Sequence, residues 1–299
     1  MTKRPNYIVF APGYDPDSGG SIFLHQLVHA LNQLGEKAYL WHWDTPRMTL
    51  GDQVQAVLQR PSRLWKAAKF ERDATLNTPV ARQGNLTADS IVVYPEVTLG
   101  NPLNARHIAR WLLYRPGLRQ PYSFTTGEMF FRAGEMSDLP ELTGGAPELF
   151  VWRINPVYRD EARVDRQGSC YIVRKGDAKP RIPETAQAIQ IDGMSHAEVA
   201  EVFNRCTTFY SYDEATLYSQ YAAICGCDSV VIPGLYPSRA EWVQSHALAR
   251  YGVAYGLDDL DHARATRHLT LGVLQAQETK GMQTVQDFVD LTQARFGAR

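Results

Sequence analysis

Two rhythms of apolar residues alternate along this chain: short continuous runs, and longer stretches where apolar positions return every three or four residues. Tyr7-Ile8-Val9-Phe10, between Pro5 and Pro12-Gly13, predicts a buried strand. After it, Leu24, Leu27, Val28, Leu31 and Leu34 keep helical spacing, and Gly35 sits where a helix C-cap falls. Further runs predict strands over 37–43, 90–96 and 148–154, and a helix over 104–114 that stops at Arg115-Pro116-Gly117. The stretch 156–168 is polar with little periodicity, which places a domain boundary there. A second series follows, with strands over 170–174, 188–192, 207–211, 229–233 and 253–255. Helices are predicted from Ser195, with Glu198 at the capping-box position, and over 214–225. Strands alternating with helices point to an α/β protein with mostly parallel sheets. The expected organisation is two α/β domains, 1–155 and 156–273, with a cleft between them and a helix over 274–299 that packs back on the first.

The chain's 299 residues suffice for two domains of ordinary size. A net charge of −1 gives no global attraction for nucleic acid, so none is expected as a partner. No apolar run is long enough to span a membrane, and residues 1–6 lead into a strand rather than a signal peptide. Cys170, Cys206, Cys225 and Cys227 suggest no disulfide framework, and Cys225-Gly226-Cys227 lacks the gap of a zinc knuckle. A reducing cytoplasm fits this usage.

In parallel sheets, ligands bind beyond the carboxyl ends of the strands, so chemistry is sought just after each run. After the first run, Ser18-Gly19-Gly20-Ser21 opens a helix directly. Strand, glycine loop and helix together aim backbone N–H groups at an anion, commonly a phosphate; the glycines suit a plain tight turn equally well. The stretch is not a Walker A loop, because it has one residue too many and no lysine before the serine. The fingerprint G-x-G-x-x-G follows none of the predicted strands, which argues against a nicotinamide or flavin enzyme. His25 and His29 share one side of the first helix, but Gln26 replaces the glutamate of a zincin and no third ligand is evident. In the second half, Arg174-Lys175-Gly176 comes straight off a strand. A planar guanidinium beside a compact ammonium suits a diphosphate, or simply a solvated loop. The stretch 211–216 follows another strand, where Asp213 or Thr216 would meet a ligand, or Asp213 would merely cap a helix.

Together these residues resemble the glycosyltransferases of the two-Rossmann-domain GT-B fold, above all the retaining transferases of bacterial lipopolysaccharide, O-antigen and capsule assembly. In that family a Gly-Gly loop opens the first helix of the amino-terminal domain, as Ser18-Gly19-Gly20-Ser21 does here. A strand of the carboxyl domain ends in Arg and Lys that bind the donor diphosphate, matched by Arg174-Lys175-Gly176. A later helix carries an acidic residue, then a glutamate and a small-residue run ending in Cys-Gly. Asp213, Tyr221 and Ala222-Ala223-Ile224-Cys225-Gly226 stand in those places. Asp213 thus replaces the first glutamate of the family and Tyr221 the second, which commonly holds the ribose hydroxyls. The chain is also short for this fold.

The resemblance implies a cytoplasmic enzyme that moves a sugar from a nucleotide-sugar donor to a saccharide or lipid-linked acceptor, with retention at the anomeric carbon. Gly19, Gly20, Ser21, Arg174, Lys175, Tyr212, Thr216 and Tyr221 would bind the donor. Arg174 and Lys175 would neutralise its diphosphate, so neither a metal nor a cofactor is expected. Glu96 and Asp213 would be catalytic, and Asn101 would face the acceptor. Glu96 and Asn101 equally suit an ordinary strand-end turn, and Tyr221 a place in the core. The alternative is a non-catalytic nucleotide- or sugar-binding subunit of an assembly complex, favoured by the missing second glutamate. An epimerase or dehydrogenase is disfavoured by the missing fingerprint. Residues 59–73 carry Arg60, Arg63, Lys66, Lys69 and Arg72 around Leu64, Trp65 and Phe70. That composition suits peripheral contact with an anionic inner membrane, or a solvated helix face.

Overall fold

The structure, a computed structural model, describes residues 4–16, 18–47, 70–118 and 120–297. The basic segment 59–73 lies outside the described residues except for 70–73. The chain divides into two compact units, Met1–Arg153 with Glu278–Arg299, and Ile154–Gln277.

The first unit holds strands β1 (Tyr7–Ala11), β2 (Ala38–His42), β3 (Ile91–Pro95), β4 (His107–Leu112) and β5 (Met129–Arg132). They form one parallel sheet in the order β2-β1-β3-β4-β5. Tyr7, Val9 and Ala11 point into one core and Ile8 and Phe10 into another, so both faces are covered and β1 reads as an unbroken apolar run. Helix α1 (Gly19–Gln33) lays Leu24, Leu27, Val28 and Leu31 on the first face. The same face receives Val285, Phe288 and Val289 from the long helix Thr270–Phe296. Phe288 stands 4.7 Å from Phe131, ring to ring, and Thr292 meets the Tyr7 hydroxyl at 3.0 Å.

The second unit repeats the plan with β6 (Ser169–Ile172), β7 (Ile189–Gln190), β8 (Thr208–Ser211), β9 (Asp228–Val231) and β10 (Val253–Tyr255). Its parallel sheet runs β10-β9-β8-β6-β7, which is the same strand order counted from its own first strand. The α/β class with two Rossmann-like units is therefore as expected. All four cysteines are buried and unbridged in this unit.

Four expected elements differ. Residues 104–114 form no helix: β4 lies there instead, with Ile108, Ala109, Arg110, Trp111 and Leu112 all buried. With both faces covered there is no polar alternation to mark a strand, and Arg110 reads as a solvent-facing helical position although it sits in a buried ion pair. Residues 148–154 contribute only an isolated bridge from Glu148 to Arg132, because the Phe150 backbone bonds Thr284 at 2.9 and 2.8 Å instead of a neighbouring strand. The strand at 170–174 stops at Ile172 and turns at Arg174–Gly176. The helix expected over 214–225 is confined to Tyr218–Ile224. Asp213 accepts the Ala215 N–H at 3.0 Å and Thr216 that of Tyr218 at 3.3 Å, and such local bonds compete with a helical start.

Candidate active site

In each unit the first strand lies between the second and the third: β1 between β2 and β3, β6 between β7 and β8. The chain reverses its direction of travel across the sheet at that strand, and a crevice opens beyond the carboxyl ends there. Of the expected site residues, Gly19, Gly20 and Ser21 open α1 and Glu96 ends β3 at the first of these crevices, while Arg174 and Lys175 follow β6 and Tyr212, Asp213 and Thr216 follow β8.

In the first unit the crevice is a cavity of about 520 Å³, lined among others by Gly19, Gly20, Ser21, Trp43, Glu96, Tyr114 and Tyr122. Ser18 caps α1 and accepts the Ser21 N–H at 3.4 Å. Ser21 is buried; its hydroxyl accepts the Asp15 N–H at 2.8 Å and donates to the Gly13 carbonyl at 3.0 Å. Ser21 thus shapes the loop rather than offering a free hydroxyl to a ligand. His25 fixes the same loop, its Nε2 2.9 Å from the Pro12 carbonyl, while burial holds its pKa below the usual histidine value. That carbonyl can only accept, so Nε2 donates. Gly19 and Gly20 present their bare faces to open space: a Cβ on Gly19 would meet no atom within 4 Å, and one on Gly20 only a Leu113 methyl at 3.8 Å. Neither glycine is demanded by the surrounding protein, and both line the space a ligand would fill.

Glu96 ends β3 and is 7% exposed. Burial pushes its carboxyl above the ordinary carboxylate range, against the N–H of Leu113, which one carboxylate oxygen accepts at 2.9 Å. A proton-accepting group with a raised pKa in a substrate-sized cavity has the properties of a general base. Asn101 departs from its expected role. Its amide accepts from the Tyr94 hydroxyl and the Ala105 N–H and donates to the Ala105 carbonyl, at 3.0, 2.8 and 2.9 Å. It pins the loop after β3 instead of facing the cavity.

In the second unit, Arg174 and Lys175 are exposed just beyond β6. Arg174 takes a left-handed backbone, φ 41°, unusual for a residue with a side chain. Asp192 holds it so, accepting the Val173 and Arg174 N–H groups at 3.0 and 2.9 Å. Those two backbone donors are therefore occupied, and an anion at this point is met by the two side chains. The Arg174 guanidinium lies 4.0 Å from the Asp213 carboxylate and 5.8 Å from the centre of the Tyr218 ring. Gly176 is sterically required, since a Cβ would run into the Tyr212 carbonyl. Arg174 and Asp213 are thereby brought together, with Lys175 exposed in the same turn. Thr216 is buried nearby with its hydroxyl on the Tyr218 N–H.

Tyr212 and Tyr221 depart from the donor-binding role. Tyr212 is fully buried, and its hydroxyl bonds the Ile182 N–H and Thr185 at 2.9 and 2.8 Å. Tyr221 stacks on Tyr158 at 4.2 Å with 11° between the rings, inside the apolar core of the unit. This position faces packing, not solvent.

Several contributors were not legible as such. Trp43 and Tyr114 stand at the ends of a predicted strand and a predicted helix, and Tyr122 in a predicted loop. Arg110 and Glu128, which brace the loop carrying Glu96, are separated by the end of β4 and the connection to β5. Glu214 is drawn from the expected helix onto Lys179 at 3.1 Å, the Tyr255 hydroxyl at 2.7 Å and the N–H groups of Gly234 and Leu235. Burial raises its pKa, but those bonds outweigh burial and leave it below the usual value. Among the described residues, no group of three or more histidine, cysteine or acidic side chains is placed to hold a metal ion. Nor is any of their helices long and apolar enough to cross a membrane.

Two Rossmann-like units, each with a crevice at its switch strand, define the class of fold. No family model and no curated protein matches the chain in sequence. Among solved structures it is similar to the glycotransferase of kitacinnamycin, at 10% identity and a TM-score of 0.43 over 99% of this chain and 100% of that one. It is also similar to a putative UDP-N-acetylglucosamine 2-epimerase from Listeria monocytogenes, at 10% identity and a TM-score of 0.31 over 94% of this chain and 90% of that one. The fold rests on the two sheet orders, and the functional reading on the site geometry.

Proposed function

We propose that the protein is a glycosyltransferase that moves a sugar from a nucleotide-sugar donor to a hydroxyl of a saccharide or lipid-linked acceptor. The observation that carries this reading is Glu96, a buried carboxylate of raised pKa inside a cavity of about 520 Å³ bordered by the glycine opening of α1. In the proposed reaction the acceptor oxygen bonds to the anomeric carbon as its proton passes to Glu96. The bond from that carbon to the diphosphate breaks, and its electron pair leaves on the diphosphate. Donor diphosphate binding is assigned to Arg174 and Lys175 of the second unit, so the reading requires no divalent metal. Asp213 keeps the guanidinium of Arg174 oriented. A single displacement through Glu96 inverts the anomeric centre, and on that point the proposal departs from the retention implied by the resemblance. A place in bacterial surface-polysaccharide assembly, in the cytoplasm or peripherally at the inner membrane, rests on the resemblance alone.

One observation favours a binding subunit instead: Asp192 already occupies the two backbone donors beside Arg174. Thermal shifts with UDP, GDP, CDP, dTDP and ADP test donor binding directly. A ligand at a hundred times its dissociation constant adds about 2.7 kcal/mol of stability. One of the five diphosphates should shift the melting point, and Arg174→Ala and Lys175→Ala should each weaken it more than the matching nucleoside. Equal losses for diphosphate and nucleoside would remove these residues from the donor site.

A further inference from the structure

Beside the cavity that holds Glu96 lies a second, open groove of about 520 Å³. Arg115, Pro116, Gly117 and Tyr122 border both spaces, so the two adjoin across one ridge. At the ridge Gly117 packs close to the Tyr122 ring, which a Cβ there would approach to 3.3 Å; that ring stacks on Phe124 at 5.0 Å, itself under the Arg110 guanidinium. Beyond it the groove is lined by Leu118, Leu139 and Leu142. Leu118 and Leu142 are 62% and 42% exposed, and on the cavity side Trp43, Tyr114 and Tyr122 are 45%, 44% and 41% exposed. Large apolar side chains gathered around one mouth mark a binding surface, whereas single ones scattered elsewhere need no account. The charged side chains of the groove, Arg115 and Glu141, face each other at 3.6 Å. Among the described residues these two charges offset each other, which favours an uncharged hydrocarbon over an anionic headgroup.

We propose that this groove is an acceptor subsite for an aliphatic chain, carried by the same molecule whose hydroxyl reaches Glu96. The inference rests on the acceptor assignment above and names the acceptor class: a glycoside with an alkyl tail rather than a free sugar. The polar head enters the aromatic-lined cavity, the tail crosses the Tyr122–Gly117 ridge, and the leucines cover it from water.

Calorimetric titration with methyl, butyl and octyl β-glucosides, each below its micellar concentration, tests this without requiring turnover. Affinity should climb with chain length, by about thirtyfold or more from methyl to octyl, since buried methylenes each add to the transfer free energy. Leu118→Ser with Leu142→Ser should flatten that climb and leave methyl-glucoside binding unchanged. Both leucines are exposed, so the double variant is expected to fold, and an unchanged melting point confirms it. Equal affinity for all three glycosides, or a climb that survives the double substitution, overturns the subsite. Binding to neutral phosphatidylcholine vesicles as tight as to the octyl glycoside, and equally lost in the double variant, also overturns it by assigning the surface to a bilayer. Sugar transfer to a methyl glycoside without any chain-length gain would sink this inference and spare the transferase. A chain-length gain without transfer from any donor would do the reverse.

Discussion

The Arg110 guanidinium meets the Glu128 carboxylate through two parallel bonds of 2.7 and 2.8 Å, with neither side chain exposed to solvent. The remaining donors of Arg110 reach the carbonyls of Pro95, Thr98 and Gly100 at 3.3, 2.7 and 2.8 Å. Every N–H of the guanidinium is thus satisfied, and the loop that begins with Glu96 is tied to the segment that leads into β5. Removing one member of such a pair leaves a buried, uncompensated charge. Arg110→Met should therefore cost about 3–5 kcal/mol in urea unfolding, and Arg110→Met with Glu128→Met should recover a large part of it. A negligible cost for the single variant would mean that the pair does not hold this loop.

The two glycine positions make opposite demands. A methyl on Gly176 collides with the Tyr212 carbonyl, so Gly176→Ala should destabilise the second unit by about 1–3 kcal/mol, the usual range for overpacking. A methyl on Gly19 meets nothing within 4 Å and sits in the first turn of a helix, where alanine is the better helix former. Gly19→Ala should leave the melting point unchanged or raise it, yet weaken ligand binding in the cavity. Wild-type affinity in that variant would show that the glycines serve only the turn.

Glu96 links function to stability with a definite sign. Its folded pKa is raised by burial, so the folded state holds the proton more tightly than the unfolded chain does. The stability this gives is complete below the unfolded pKa and is lost as pH rises through the raised folded value. Once ionised, the carboxylate is therefore a stability cost, and above its raised pKa Glu96→Gln should melt at or above the wild-type temperature. The difference should fade as pH falls below the ordinary carboxylate range. A variant markedly less stable above that pKa would identify Glu96 as a structural ion instead.

Much of the fold was legible because parallel strands buried on both faces leave unbroken apolar runs, as in Tyr7-Ile8-Val9-Phe10, and because α1 advertises its stripe and its Gly35 stop. β4 was not, since Arg110 within it looks solvated until Glu128, far along the chain, is placed against it. The crevice positions were legible from their place after strands: Gly19 opens the helix that follows β1, Glu96 ends β3 beside it, and Arg174 follows β6. Tyr221 was misplaced because a motif spacing carries no information about burial; only the stack on Tyr158 shows which way it points. The aromatic rim around Glu96 was hidden for a similar reason, as Trp43, Tyr114 and Tyr122 converge only through the sheet.

The central claim is that Glu96 takes a proton from an acceptor hydroxyl during sugar transfer. Release of nucleoside diphosphate from nucleotide sugars, with and without an alkyl glycoside acceptor, measures this most directly when wild type and Glu96→Gln are followed across pH. The account predicts acceptor-dependent release that persists in EDTA and falls as pH drops through the raised pKa of Glu96. In Glu96→Gln it should be lower by about 10²–10⁴, the usual contribution of a general base. Release at the wild-type rate in Glu96→Gln, or no acceptor-dependent release from any donor, would contradict it.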